Sequence, residues 1–220
     1  MKRTRQKELA FPNGWGGKRR GAGRKPKGEK AGVSHTKRAA LAACFPVHVT
    51  VRLEKGLPSL RRKEAYRVLK GAFAAGSERF GFRLVEYAVL SNHMHFVAES
   101  SNERSLALGM QGLSVRIART LNRLWQRVGR VFADRYHARI LRTPREVRNA
   151  FVYVLHNARK HGVWASRGAD PFSSGETFDG WKEESNRRAT GVLGRGCTWL
   201  LRAGWKRHGL VSLSEVPSTA

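Results

Sequence analysis

Two histidines one residue apart, His93 and His95, lie in the run Tyr87-Ala88-Val89-Leu90-Ser91-Asn92-His93-Met94-His95-Phe96-Val97. No other stretch constrains the fold as tightly. The run is mostly apolar, rich in strand formers and bounded by polar residues, which predicts a central β-strand, or two strands if the chain breaks near Ser91. Successive side chains on a strand point to opposite faces, so His93 and His95 share one face while Met94 enters the core. Two imidazoles held side by side on rigid backbone suit a divalent metal. A metal that polarises a phosphate needs such a platform, because the nucleophile must be held in line with it. The pair alone is weak evidence. With 8 histidines in 220 residues, a chance His-x-His arises in roughly one such chain in four.

A second cluster adds weight. Thr143-Pro144-Arg145-Glu146 reads as a helix start, with a Thr cap, Pro in the first turn and an acidic residue behind it. Gly162 is the matching stop, preceded by Lys160 and His161. Val147, Ala150, Phe151, Val154 and Leu155 recur at helical spacing and form the core face. Tyr153 and Asn157 are four apart and therefore lie one turn from each other on one face. An amide oxygen that completes a metal site and a phenol that attacks phosphorus can thus be presented together. The bland alternatives are a half-buried helix tyrosine and an ordinary C-terminal helix residue.

In combination these stretches resemble the HUH single-strand nucleases of the Y1 transposase (IS200-like) family, and most closely their REP-associated tyrosine transposase branch. The residues that carry the resemblance are Pro46 to Arg52, Tyr87 to His95, Phe132-Ala133-Asp134-Arg135-Tyr136-His137, and Tyr153-Val154-Leu155-His156-Asn157, across roughly residues 44 to 164. The ordered set is specific although each piece is not. Ala158 stands where the family usually has Pro, so the helix is expected to run on through Lys160.

The formal net charge is +27, far beyond what solubility requires, and it points to a polyanionic partner, nucleic acid first. Cys44 and Cys197 are the only cysteines and form no Cys-x-x-Cys pair, which speaks against a disulfide framework or a zinc ribbon and suits a reducing cytosol. No apolar run approaches the roughly 18–20 residues of a membrane span, and no signal core precedes the body. The expected location is cytoplasmic, in association with the bacterial nucleoid, with no small-molecule substrate.

Three regions follow from composition. Residues 1–43 form a basic, Gly-rich arm with too little apolar surface to fold alone. Lys18, Arg19, Arg20, Arg24, Lys25 and Lys27 within it are candidate DNA contacts, able to neutralise phosphates and release counterions. Arg24-Lys25-Pro26 between glycines also suits a minor groove. Residues 44–164 form the catalytic body, with strands over Pro46–Leu53, Phe82–Leu90, the His-x-His segment and Arg135–Leu141, and helices over Leu60–Phe80, Ser105–Val128 and 144–161. The order β-α-β-β-α-β predicts an α+β, ferredoxin-like antiparallel sheet with helices on one face. Residues 165–220 begin as a loop and end in a short helical extension, in which Trp199 and Trp205 pack on the body or stack on bases.

The resemblance implies cleavage and rejoining of single-stranded DNA beside REP-like hairpins. His93, His95 and Asn157 would hold one Mg²⁺ or Mn²⁺, and Tyr153 would form a 5′-phosphotyrosine. His48, on the first strand, is a possible active-site neighbour, with a core or edge histidine as the plainer reading. His156 points about 100° away from Asn157 around the helix and ranks below it as a ligand. A monomer is expected from the resemblance. The alternative function is a DNA-binding protein without cleavage, of a domesticated or regulatory kind. Replication initiators and relaxases share the His pair but usually differ in tyrosine number or domain order.

Overall fold

The computed structural model describes residues 39–166, 168–183 and 193–217. The arm residues Lys18, Arg19, Arg20, Arg24, Lys25 and Lys27 lie outside that set. In chain order the elements are β1 (Val47–Arg52), α1 (Lys63–Gly76), β2 (Glu78–Arg79), β3 (Phe82–Val89), β4 (His93–Ser100), α2 (Glu103–Leu124), β5 (His137–Ile140), α3 (Pro144–Lys160) and α4 (Trp199–Arg202). The five strands form one antiparallel sheet in the order β2-β3-β4-β1-β5. Apart from the two-residue β2, this is the expected α+β arrangement, with β1 inserted between the strand of the His pair and β5.

The sheet has an apolar face on each side. Val47, Val49, Val51, Phe82, Leu84, Met94, Phe96 and Ala98 point to one, where α1 and α2 cover them. Gly109 of α2 permits the close approach, since a Cβ there would lie 2.2 Å from the Phe82 ring. On the other face Val85, Ala88, Leu90 and Val97 pack against α3 and the C-terminal extension. The expectation of helices on one face therefore holds for α1 and α2, while α3 crosses the opposite face. The amphipathic pattern of α3 fixes that it must bury a face but not which side of the sheet receives it.

Several boundaries differ from the sequence expectation. The run Tyr87–Val97 takes the second of its two expected forms, two strands, because Ser91 and Asn92 make a tight turn closed by Leu90 N–H donating to the His93 carbonyl at 2.9 Å. His93 therefore opens β4 and still shares a face with His95. The first helix begins at Lys63, since Leu60 is fully buried and its N–H is held by the Ser91 carbonyl. The long helix stops at Leu124, with Gln126 at φ +47°, so Val128, expected on its buried face, is 90% exposed.

Both ends of α3 are fixed by their caps. Thr143 and Glu146 form a reciprocal capping box, with Pro144 in the first turn. At the other end Gly162 takes φ +68°, Val163 N–H bonds the Ala158 carbonyl and Gly162 N–H the Arg159 carbonyl, both at 2.9 Å. That is a Schellman closure. The helix runs through Lys160, as the absence of proline at 158 implied. The extension is more than a short helix. Phe178, Trp181, Trp205 and Val211 belong to the second core, and Arg61 grips Asp170 through two hydrogen bonds of 2.7 and 2.8 Å.

Candidate active site

Strand register assembles the site. Thr50 pairs with His95 on one side and with His137 on the other, Arg52 pairs with His93, and His48 pairs with Val97 and Arg139. Directly paired residues of an antiparallel ladder point to the same face. His48, Thr50, Arg52, His93 and His95 therefore form one polar field on the face that α3 crosses. α3 delivers Tyr153 to it: the Tyr153 ring meets His95 edge-on with centroids 5.1 Å apart and His48 at 5.6 Å. His93 and His95 are 5.0 Å apart.

Hydrogen bonds define which imidazole nitrogens face the site. His93 Nδ1 lies 2.8 Å from Asn92 Oδ1. Because that oxygen only accepts, Nδ1 carries the proton and Nε2 the lone pair. His95 Nδ1 is engaged by Thr50 Oγ1 at 3.0 Å and His48 Nε2 at 3.2 Å. His95 Nε2 is buried without a hydrogen-bond partner, and so are both amide atoms of Asn157, a residue with no exposed surface. Buried polar atoms are rarely left unmatched, because each costs about 1–3 kcal/mol.

Burial keeps the imidazoles neutral. It depresses His93 to about 4, helped by the charges of His161 and Arg52, and His95 to about 2, helped by His48, His93 and His161. Burial likewise lowers His48 to about 4, with His137 and Arg139 adding to it. A neutral imidazole with its Nδ1 occupied and its Nε2 open is the form that binds metal.

His48 is thus beside the other site residues, in contact with both His95 and Tyr153. His156 turns away from the site, packs on Trp181 and sits 3.0 Å from the Ser212 carbonyl. Tyr66 and Tyr87 form a hydroxyl pair 3.0 Å apart in the first core, away from the polar field. Three residues escaped the sequence reading as site components. Thr50 orients His95, Lys160 Nζ lies 5.4 Å from the Tyr153 ring centroid, and His161 meets His93 at 6.0 Å. The spacing of seven or eight residues from Tyr153 to Lys160 and His161 is two helical turns, which is the one signal that pointed to them.

Among the described residues, no group of three or more His, Cys, Asp or Glu side chains is placed to hold a metal ion, and no helix is long and apolar enough to cross a membrane. A metal at this site would need a different donor set. Two imidazole Nε2 atoms and the Asn157 amide oxygen are chemically suited to it, and the unmatched atoms of His95 and Asn157 fit that use.

No family model matches the chain, and no curated protein matches it. Among solved structures, the chain is similar to a REP-associated tyrosine transposase bound to a REP hairpin. The two are 19% identical with a TM-score of 0.50, and the match covers 64% of this chain and 82% of that one. At that identity the likeness establishes architecture: the chain shares the α+β fold of that transposase.

Proposed function

We propose that the protein is a metal-dependent single-strand DNA endonuclease and strand transferase that acts beside REP-like hairpins with Tyr153 as its nucleophile. The observation that carries this reading is the placement of the Tyr153 ring against His95, whose Nε2 is buried and unmatched. The fold shared with a hairpin-bound transposase and the net charge of +27 support a DNA hairpin as the ligand.

In this reading His93, His95 and Asn157 would hold one Mg²⁺ or Mn²⁺, which would supply Lewis-acid polarisation of the scissile phosphate. Thr50 and His48 keep His95 turned toward it. Exposed Arg52 and Arg139, on the same face, attract the backbone of the strand, and the Lys160 ammonium adds positive charge beside Tyr153. The Tyr153 Oη–P bond forms as the P–O3′ bond breaks; the phenol loses its proton and the departing 3′ oxygen gains one. The phosphotyrosyl bond keeps the energy of the phosphodiester, so a second 3′-OH reverses the step and rejoins DNA. The arm residues Lys18, Arg19, Arg20, Arg24, Lys25 and Lys27 add phosphate contacts to the hairpin. The working unit is a monomer, located with the nucleoid.

The test uses single-stranded hairpins with labelled 5′ and 3′ ends, incubated with the protein and Mn²⁺ or Mg²⁺. The expected products are a free 3′-OH fragment and a second fragment whose 5′ end is blocked by protein. Tight hairpin binding with intact DNA under either metal would instead assign a non-cleaving DNA-binding protein.

A further inference from the structure

Phe80 occupies the tight turn between β2 and β3 with φ +55°, and Gly81 follows at +73°. Two consecutive left-handed residues make the primed turn that hairpins favour, but Asn, Asp or Gly normally takes the first position. A bulky aromatic residue is strained there. Packing does not offset that strain, since Phe80 is 63% exposed. Backbone strain that holds a ring out in water is a reason to look for a ligand.

The fold leaves a second ring exposed. Trp199, on α4, is 51% exposed. A groove of about 430 Å³ has Phe80, Gly81 and Ser101 in its wall, together with Cys197 and Thr198, which lead directly into Trp199. The Glu99 carboxylate pins that segment by accepting from the backbone N–H of Cys197 at 2.8 Å and of Thr198 at 2.5 Å.

Each ring carries a guanidinium. Arg79 lies 5.3 Å from the Phe80 centroid and Arg207 lies 4.9 Å from that of Trp199. Neither forms an ion pair among the described residues, whereas the groove's carboxylates, Glu78 and Glu99, are both met by Arg83. The uncompensated charge on the two rings is therefore positive. Exposed aromatic rings interleaved with cations are the recurring equipment of single-strand binders, and guanidinium planes themselves stack on bases.

We propose that this groove is a second contact for single-stranded DNA, in which Phe80 and Trp199 stack on bases while Arg79 and Arg207 take phosphates. It is remote from Tyr153. β4 runs from His93 at the candidate active site to Ser100 in the groove wall, about 23 Å at ~3.3 Å per residue. The ligand class rests on the single-strand reading above and extends it to a strand that follows the sheet away from the cleavage point.

The test is binding of a fluorescent, unstructured oligothymidine of about twelve nucleotides to the full-length chain. Raised salt weakens the phosphate contacts and leaves stacking dominant. Phe80→Asn and Trp199→Ala should each weaken binding roughly tenfold, and Phe80→Tyr should restore it. Phe80→Asn suits the left-handed turn better than Phe, so its melting temperature should equal or exceed that of the wild type; a folding defect cannot then explain its loss of affinity. Binding of both variants within about twofold of wild type, or no oligothymidine binding by the wild type, overturns the proposal. Cleavage at Tyr153 is read separately: ring-dependent binding without any cleavage would overturn the nuclease reading and leave this contact standing.

Discussion

His48 Nε2 lies 3.2 Å from His95 Nδ1, and Thr50 Oγ1 lies 3.0 Å from the same nitrogen. β1 thus supplies two groups that fix the ring of a β4 histidine and leave its other nitrogen buried and unmatched, with the Tyr153 ring against the same imidazole. Partners of this kind set the tautomer and direction of a metal-binding imidazole, and losing one typically costs 10–100-fold in metal affinity.

Thr50→Val keeps the shape of the strand residue and removes its oxygen. Mn²⁺ should raise the melting temperature of the wild type by binding only the folded state. The variant should need about tenfold more Mn²⁺ for the same shift, with little change in stability without metal. An unchanged titration would mean that Thr50 does not orient a ligand.

Glu86 gives a pH signature on the same face of the sheet. It lies in the wall of a cavity of about 420 Å³, and burial pushes its carboxyl up to about 8, with Asp179 adding to the rise and the Ser174 hydroxyl opposing it. The folded value exceeds the unfolded one, so Glu86 retains its proton in the fold between about pH 4.5 and 8. Its contribution is complete below the unfolded value and is lost as pH rises through the folded value. Glu86→Gln should melt above the wild type at about pH 9 and converge on it near pH 5. A constant offset across that range would contradict the assignment.

Trp205 ties the C-terminal extension to α3. It is 1% exposed and packs against Phe151 and Phe178, with ring centroids 5.2 and 5.7 Å away. Its indole N–H donates to the Leu201 carbonyl at 3.0 Å. Trp205→Ala should cost about 3–5 kcal/mol in urea unfolding. Cleavage should also fall, because Phe151 and Tyr153 share a helix. A loss under 1 kcal/mol would show the extension to be an appendage.

The period of two made the shared face of His93 and His95 legible in the sequence, the 3.6-residue period put Tyr153 and Asn157 on one helix, and Thr143-Pro144 and Gly162 marked both ends of α3. Strand register was not legible. Thr50 becomes a partner of His95 only because β1 and β4 align as they do, and no local pattern encodes that offset. The side of the sheet that α3 covers depends on the second core, built in part by Trp181 and Trp205, which lie far away in sequence. The break at Ser91-Asn92 was legible as turn residues, but the apolar run around them left one strand or two equally open.

The central claim is that Tyr153 becomes covalently joined to DNA. The direct measurement is peptide mass spectrometry of nuclease-trimmed protein after incubation with a labelled single-stranded hairpin and Mn²⁺. Tyr153→Phe serves as the control, because it removes the nucleophilic oxygen and keeps the ring that packs against His48 and His95. The expected result is a nucleotide on the peptide carrying Tyr153, absent from the Phe variant. A nucleotide on another residue, or cleavage that persists in Tyr153→Phe, would contradict the claim.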